Sequence, residues 1–168
     1  METSLYSAMR LGIVHFKAYP GIETGTGPIV ETLEKICADE FWTAVEVGWM
    51  KDYRVRNTAR ALLDQSHLSV AYATQPKALT NKLNLNHPDR PESQKGGDAS
   101  RDGVDEARQL GAEVVRLIAG KDPGDAEREE AKKRLIDSLC QILDYAGEEK
   151  DGLAFTLKLF DRSIDKKN

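Results

Sequence analysis

Four ionisable residues stand inside short apolar segments of the sequence that are typical of buried β-strands: His15, Glu46, Arg116 and Lys158. Each lies at or beyond the middle of its segment. Core packing does not explain this recurrence, because a buried charge without a partner is strongly destabilising. The carboxyl ends of parallel strands form the ligand-binding face of α/β folds, so we predict that these side chains converge on one polar site.

Two other interpretations of the same residues stay open. The charged residues could form a purely structural network in which Glu46 pairs with Arg116 or Lys158, since such networks also occur away from binding sites. His15 taken alone is more typical of a hydrogen-bonded core histidine than of a catalytic residue.

The alternation of side chains along each strand separates two faces of the predicted sheet. In the last segment one face carries Leu153, Phe155, Leu157 and Leu159, and the other carries Ala154, Thr156 and Lys158. In the second segment Glu46 shares its face with Ala44 and Gly48. The apolar face is suited to packing under helices, and the smaller, more polar face is suited to a barrel lumen or to the ligand side of an open sheet.

The elements that must position these residues alternate along the chain. Apolar, β-rich segments at 11–16, 44–49, 68–73 and 114–120, and another from 153 onward, are separated by amphipathic helical segments, one of them around 101–110. This order predicts an α/β fold of parallel strands joined by right-handed crossovers. We expect one domain over 1–168, with a long polar loop around 74–100.

Composition narrows the classes of function. The chain has 168 residues, a net charge of −4 and a pI of about 5.5, which argues against nucleic-acid binding. It contains no apolar segment long enough to span a membrane. We therefore expect a cytoplasmic protein without nucleic-acid or membrane partners.

The order of these segments resembles the sugar-phosphate isomerase/epimerase family, the xylose-isomerase-like TIM barrels that also include the type-IV apurinic endonucleases. The similarity rests on GIVHFKAYP, VEVGWMKD, LNLN followed by DEARQLGAEVVRLIAGKD, and SLCQILDYAGE leading into LAFTLKLFDRSIDKK. It implies a partial, about five-stranded TIM barrel, in a family that moves a proton next to a sugar carbonyl with the help of Mn, Mg, Co or Zn. It also implies that the following residues contact a sugar or sugar phosphate: His15, Glu46, Trp49, Asn84, Asn86, Arg116 and Lys158.

The sequence departs from the family pattern at Lys158, where the resemblance implies a metal-binding glutamate. An ammonium group removes an oxygen ligand and places positive charge where the cation would sit. We therefore expect no complete metal site, no assignable catalytic residue and no isomerase activity from this chain alone. Family barrels have eight strands, so the alternative prediction is a non-catalytic half-barrel, natural or truncated, that forms a homo-oligomer or binds a partner chain through open sheet edges.

Overall fold

A five-stranded parallel sheet forms the centre of the computed structural model, which describes residues 9–147, 149 and 151–159. The strands follow one another in chain order across the sheet. They are β1 (Gly12–Val14), β2 (Ala44–Val47), β3 (Ser69–Ala73), β4 (Val114–Ile118) and β5 (Ala154–Lys158). All four pairings are parallel, which confirms the predicted α/β fold of a partial barrel.

Helices connect each strand to the next. They are α1 (His15–Ala18), α2 (Ile29–Cys37), α3 (Tyr53–Gln65), α4 (Gln75–Thr80), α5 (Arg90–Gln109) and α6 (Arg128–Gly147), the last preceded by a 3₁₀ turn at Asp125–Glu127. The start of α3 is fixed by its N-cap residue Asp52, whose carboxylate accepts a hydrogen bond of 2.8 Å from the Arg54 backbone N–H. No helix in the described residues is long and apolar enough to cross a membrane.

The prediction of a long loop around 74–100 is wrong, because α4 and the first half of α5 lie there. The glycine- and serine-rich composition of this stretch has a packing reason. Gly96 and Ser100 are buried in α5, and a Cβ at Gly96 would lie 3.2 Å from Leu85 Cδ2. Small residues here let the helix approach its neighbours closely. The helix expected around 101–110 is the second half of α5.

The first predicted strand is also shorter than expected. It ends at Val14, and His15 begins the short helix α1 instead of continuing the strand. Three strands, and not four, therefore carry an ionisable residue of the predicted set. The alternation of side chains applies only within a strand, so it does not determine the direction of His15, which lies beyond the end of β1.

The two faces of the sheet have the predicted characters. Register places Glu46 of β2 beside Ala71 of β3, and Arg116 of β4 beside Thr156 of β5. The opposite face packs against the helices and holds most of the buried core, including Val45, Val47, Val70, Tyr72, Val115 and Leu117.

Candidate functional site

Glu46, Arg116 and Lys158 meet on one face of the sheet. Arg116 Nη1 lies 2.8 Å from Glu46 Oε2, and Lys158 Nζ lies 3.9 Å from Glu46 Oε1. Lys158 Nζ also donates a 2.7 Å hydrogen bond to Gln75 Oε1. We call these four residues the strand-end cluster.

Small residues on β3 allow the charged residues of β2 and β4 to meet. β3 lies between those two strands and presents Ala71 and Ala73 on the same face as Glu46 and Arg116. Their methyl groups leave room for the carboxylate and the guanidinium to approach each other across the strand. The contact between Glu46 and Arg116 therefore requires small side chains at both of these β3 positions.

Exposure differs sharply within the strand-end cluster. The Glu46 side chain is only 5% exposed, whereas those of Arg116 and Lys158 are 44% and 30% exposed. Glu46 Oε1 is buried without a hydrogen-bond partner in the described part of the chain. The carboxylate thus lies beneath two cations that face the solvent.

A cavity of about 260 Å³ lies beside this cluster. Gln75, which binds Lys158, lines the cavity together with Phe16, Lys17, Glu23 and Pro76. These residues follow the carboxyl ends of β1 and β3, so the cavity opens at the end of the sheet where α/β folds bind ligands. Its volume lies just below the roughly 300 Å³ at which typical small-molecule sites begin.

His15 lies outside the strand-end cluster. Its ring is 1% exposed, with Nε2 2.8 Å from the Thr32 hydroxyl oxygen of α2. The Thr32 hydroxyl is also 2.7 Å from the Pro28 carbonyl oxygen, to which it donates, so it accepts its second bond from His15 Nε2–H. Burial lowers the His15 pKa to about 4, and the ring is neutral near pH 7. The structure thus shows a hydrogen-bonded core histidine, and its contact with a sugar stays a prediction.

The two asparagines also lie apart from the strand-end cluster. Asn84 Oδ1 accepts a 2.9 Å bond from the Asn86 backbone N–H, and Asn86 Nδ2 is 3.3 Å from the Lys121 carbonyl oxygen. A Cβ at Gly120 would lie 1.6 Å from Asn84 Oδ1 and 1.9 Å from Asn86 Oδ1. The amides fill the place of a side chain at Gly120 and fasten this turn to the end of β4.

Trp49 belongs to three consecutive residues that each donate a hydrogen bond to a different segment. Trp49 Nε1 donates to the Glu23 carbonyl (2.8 Å), the Met50 N–H to Glu106 Oε1 (2.6 Å), and the Lys51 N–H to the Gly25 carbonyl (2.9 Å). We call these three residues the 49–51 clamp. The clamp joins the loops after β1 and β2 to α5, and the contact of Trp49 with a sugar stays a prediction.

Glu106, the acceptor in this clamp, is a buried carboxylate that the sequence does not single out. Its Oε2 accepts a 3.0 Å bond from the Tyr72 hydroxyl. Burial raises the pKa of Glu106, and burial together with the neighbouring carboxylate raises the pKa of Tyr72 well above its usual value. Both side chains lie in the core, where the sequence pattern favours apolar residues. A polar residue at each of these positions is the feature of the sequence that indicates the pair.

Gln75 is the member of the strand-end cluster that sequence reasoning missed. It begins α4, separated by one residue from the Ala73 end of β3, at the same end of the sheet as Lys158. The rule that polar residues past strand ends approach one another applies to β3 as well. Gln75 is not among the predicted site residues because it falls in the stretch predicted to be a loop.

The residues that the structure describes at the strand ends do not fit a divalent metal ion. Glu46 is the one carboxylate of the strand-end cluster, and two cationic groups lie within 4 Å of its oxygens. Those charges would repel a metal cation at this position. Among the described residues no three His, Cys, Asp or Glu side chains come together in a metal-binding group.

This chain spans somewhat more than half the length of solved structures with the same fold. An AP endonuclease, family 2, from Brucella melitensis superposes with a TM-score of 0.69 at 15% identity, covering 95% of this chain and 59% of that one. D-psicose 3-epimerase with D-tagatose from Clostridium cellulolyticum H10 superposes with a TM-score of 0.68 at 15% identity, covering 92% of this chain and 53% of that one. The IOLI protein with a binding zinc atom superposes with a TM-score of 0.63 at 16% identity, covering 89% of this chain and 51% of that one.

Sequence comparison identifies the family directly. Curated protein sequences give no match. The family model described as xylose isomerase-like TIM barrel matches residues 36–155, which include β2, β3 and β4 and the start of β5. The chain belongs to the xylose isomerase-like TIM barrel family.

Proposed function

We propose that this chain binds a sugar or sugar phosphate at the carboxyl ends of its strands and does not turn it over by itself. The observation that carries the proposal is the strand-end cluster beside the 260 Å³ cavity. Membership of a family with sugar epimerases among its structural neighbours supports a carbohydrate as the ligand.

The cluster offers the hydrogen-bonding groups that a polyol needs. Glu46 Oε1 lacks a hydrogen-bond donor in the described residues and can accept one from a sugar hydroxyl. Arg116 and Lys158 donate to hydroxyl or phosphate oxygens. The family's proton transfer depends on a divalent metal, and Lys158 occupies the position that the resemblance gives to a metal-binding glutamate. We therefore propose binding without isomerisation.

Isothermal titration of the full chain with D-tagatose and D-tagatose 6-phosphate tests the binding. We expect saturable binding that Lys158→Gln and Arg116→Gln weaken. Lys133→Gln and Arg10→Gln are matched controls, because both residues form ion pairs at exposed positions. Binding that all four variants leave unchanged would contradict the assignment of the site.

Activity is tested separately by incubating the chain with D-tagatose and Mn²⁺ and analysing the sugars by chromatography. We expect no epimer or isomer above the level of a heat-denatured sample. Reproducible turnover that Lys158→Gln reduces would overturn the proposal that Lys158 makes the site non-catalytic.

The open edges of the sheet favour a second candidate function. Among the described strands β1 and β5 each pair with one neighbour, and α6 leaves Ile136 and Leu143 exposed. Unpaired edges and apolar patches promote association with another chain. The alternative proposal is a non-catalytic half-barrel that self-associates or binds a partner chain. Sedimentation velocity over a range of concentrations checks self-association, and a strictly monomeric species counts against it.

A further inference from the structure

We infer that a second cavity, separate from the strand-end cluster, binds a small zwitterion of the amino-acid class. This cavity has a volume of about 420 Å³ and is bordered by the loop after β2, the start of α3, and by α4 and α5. Its volume falls in the range of roughly 300–1,000 Å³ that small-molecule sites occupy. The residues that line it include none of the strand-end cluster, so the inference is independent of the proposed sugar site.

The charges around this second cavity are separated by element. The loop after β2 and the start of α3 contribute two cations, Lys51 and Arg56, whereas α5 contributes the carboxylates of Asp102 and Asp105. The two aspartates are three residues apart on α5, so they lie on the same face of that helix. Their side chains are 69% and 57% exposed. A ligand with one anionic and one cationic group complements both sides of the cavity.

The cationic side has donors to offer a carboxylate. Lys51 forms no ion pair in the described part of the chain, and its Nζ lies 5.0 Å from the centroid of the Trp49 ring, which also lines the cavity. Arg56 Nη1 donates a 3.3 Å hydrogen bond to Gln109 Oε1. Its Nε lies 4.0 Å from Glu106 Oε1, beyond hydrogen-bond distance, and has no acceptor among the same residues. This guanidinium can therefore bind a ligand carboxylate through its unused N–H groups.

The acidic side can accept hydrogen bonds from an ammonium group. Asp105 receives a 2.8 Å bond from the neutral Tyr145 hydroxyl, and Arg108 Nη1 approaches it only to 3.8 Å. Asp102 pairs with Lys77 at 2.9 Å through Oδ2. A carboxylate has about four acceptor positions, so both aspartates can still bind an N–H donor. An α-ammonium with three N–H groups can reach neighbouring carboxylates on one helix face.

A third carboxylate at this cavity is already occupied. Glu106 is buried, with Oε1 accepting from the Met50 N–H and Oε2 from the Tyr72 hydroxyl. The ligand ammonium is therefore left to the two exposed carboxylates of α5. A zwitterion bound between Lys51 and α5 would connect the same two segments that the 49–51 clamp joins.

An NMR titration of the ¹⁵N-labelled full chain near neutral pH tests the inference. The probes are L-serine and L-asparagine, together with acetate and methylammonium, which each carry only one of the two charges. The Trp49 indole N–H reports on the cavity, and Trp42, which lies outside the lining, is the internal reference. We expect saturable shifts at Trp49 and none at Trp42. Contacts on both sides predict that an amino acid binds about tenfold more tightly than acetate or methylammonium.

Variants at exposed positions identify the two sides of the site. Lys51→Gln and Asp102→Asn should each weaken amino-acid binding about fivefold or more. Lys35→Gln removes an exposed lysine elsewhere, and Asp98→Asn removes a carboxylate of α5 that is paired with Arg101 away from the cavity, so both should leave the affinity unchanged. Loss of an exposed charge costs little stability, so these proteins should fold.

Several results would overturn the inference. One is the absence of a Trp49 shift with either amino acid, and another is acetate or methylammonium binding as tightly as the amino acids. A third is amino-acid binding that Arg116→Gln abolishes and Asp102→Asn leaves intact, because the ligand would then lie at the strand-end cluster. The sugar proposal stands or falls separately, on the titration with D-tagatose.

Discussion

The buried ring of His15 makes the stability of this protein depend on pH in a defined direction. The ring is 1% exposed and its pKa falls to about 4 in the folded state, against about 6.5 in an unfolded chain. Below pH 6.5 the unfolded chain therefore binds a proton that the folded chain excludes. The stabilising contribution is present above pH 6.5 and is lost as the pH falls toward 4.

The size of the loss follows from the two pKa values. Between about pH 7.5 and about pH 5, linkage predicts that the free energy of unfolding falls by about 2 kcal/mol from this group alone. Glu106 works in the opposite direction, because its raised pKa favours protonation in the folded state. The contributions of His15 and Glu106 therefore partly cancel, and a reference variant without the His15 ring is needed to measure the His15 contribution.

Urea denaturation at several pH values, on the unmodified chain and on His15→Gln, isolates the effect. Glutamine can still donate to the Thr32 hydroxyl but does not titrate, so the variant should lose about 2 kcal/mol less than the unmodified chain over the same range. An NMR titration of His15 supplies a second test. The reasoning is refuted if both proteins show the same slope, or if the ring titrates near 6.5.

Three further predictions concern groups with defined packing. Gly120→Ala should reduce the free energy of unfolding by about 2 kcal/mol, because the added methyl group would overlap the Asn84 and Asn86 amide oxygens. Urea denaturation measures this loss, and an unchanged midpoint would contradict the packing. Glu106→Ala should reduce the free energy of unfolding by about 3 kcal/mol, since it leaves the Met50 N–H and the Tyr72 hydroxyl without an acceptor. Tyr72→Phe should reduce it by only about 1 kcal/mol in the same assay. Equal losses would argue against this hydrogen-bond network. Arg116→Met should destabilise the protein by about 2 kcal/mol, because it removes the nearer cation from a buried carboxylate. Glu46→Gln should destabilise it by less than about 1 kcal/mol, because the two cations that remain are partly exposed to water. The reverse order in thermal unfolding would refute the burial argument.

The strand-end cluster was largely predictable from sequence. Period-two alternation places Glu46, Arg116 and Lys158 on definite faces, and parallel strands in chain order bring those faces into one row. The pairing of Glu46 with Arg116 or Lys158 belongs to the alternative interpretation of a structural network, and the structure shows a 2.8 Å contact to Arg116 and a 3.9 Å approach of Lys158. Strand periodicity was sufficient because each residue lies within its strand.

Residues beyond the strand ends were not predictable in this way. His15 follows β1 immediately, but the backbone turns into α1 and directs the ring to Thr32. Gln75 also follows a strand, yet its side chain joins the cluster. The direction of a side chain at such a position depends on how the backbone leaves the sheet, and tertiary packing decides that. The first half of α5, at 90–100, is not predictable for a related reason, since close helix packing and disorder both favour glycine and serine.

The 49–51 clamp has a consequence for the dynamics of the cavity. Glu23 lines the cavity and its carbonyl holds the Trp49 indole, while Met50 and Lys51 bind α5 and the Gly25 carbonyl. Neither strand-end loop can move away without breaking hydrogen bonds to the other. We therefore expect the two loops to open as one cooperative unit, in which the backbone amides of Met50 and Lys51 exchange with solvent through the same event. Access to the cavity past these loops is then governed by a single opening equilibrium.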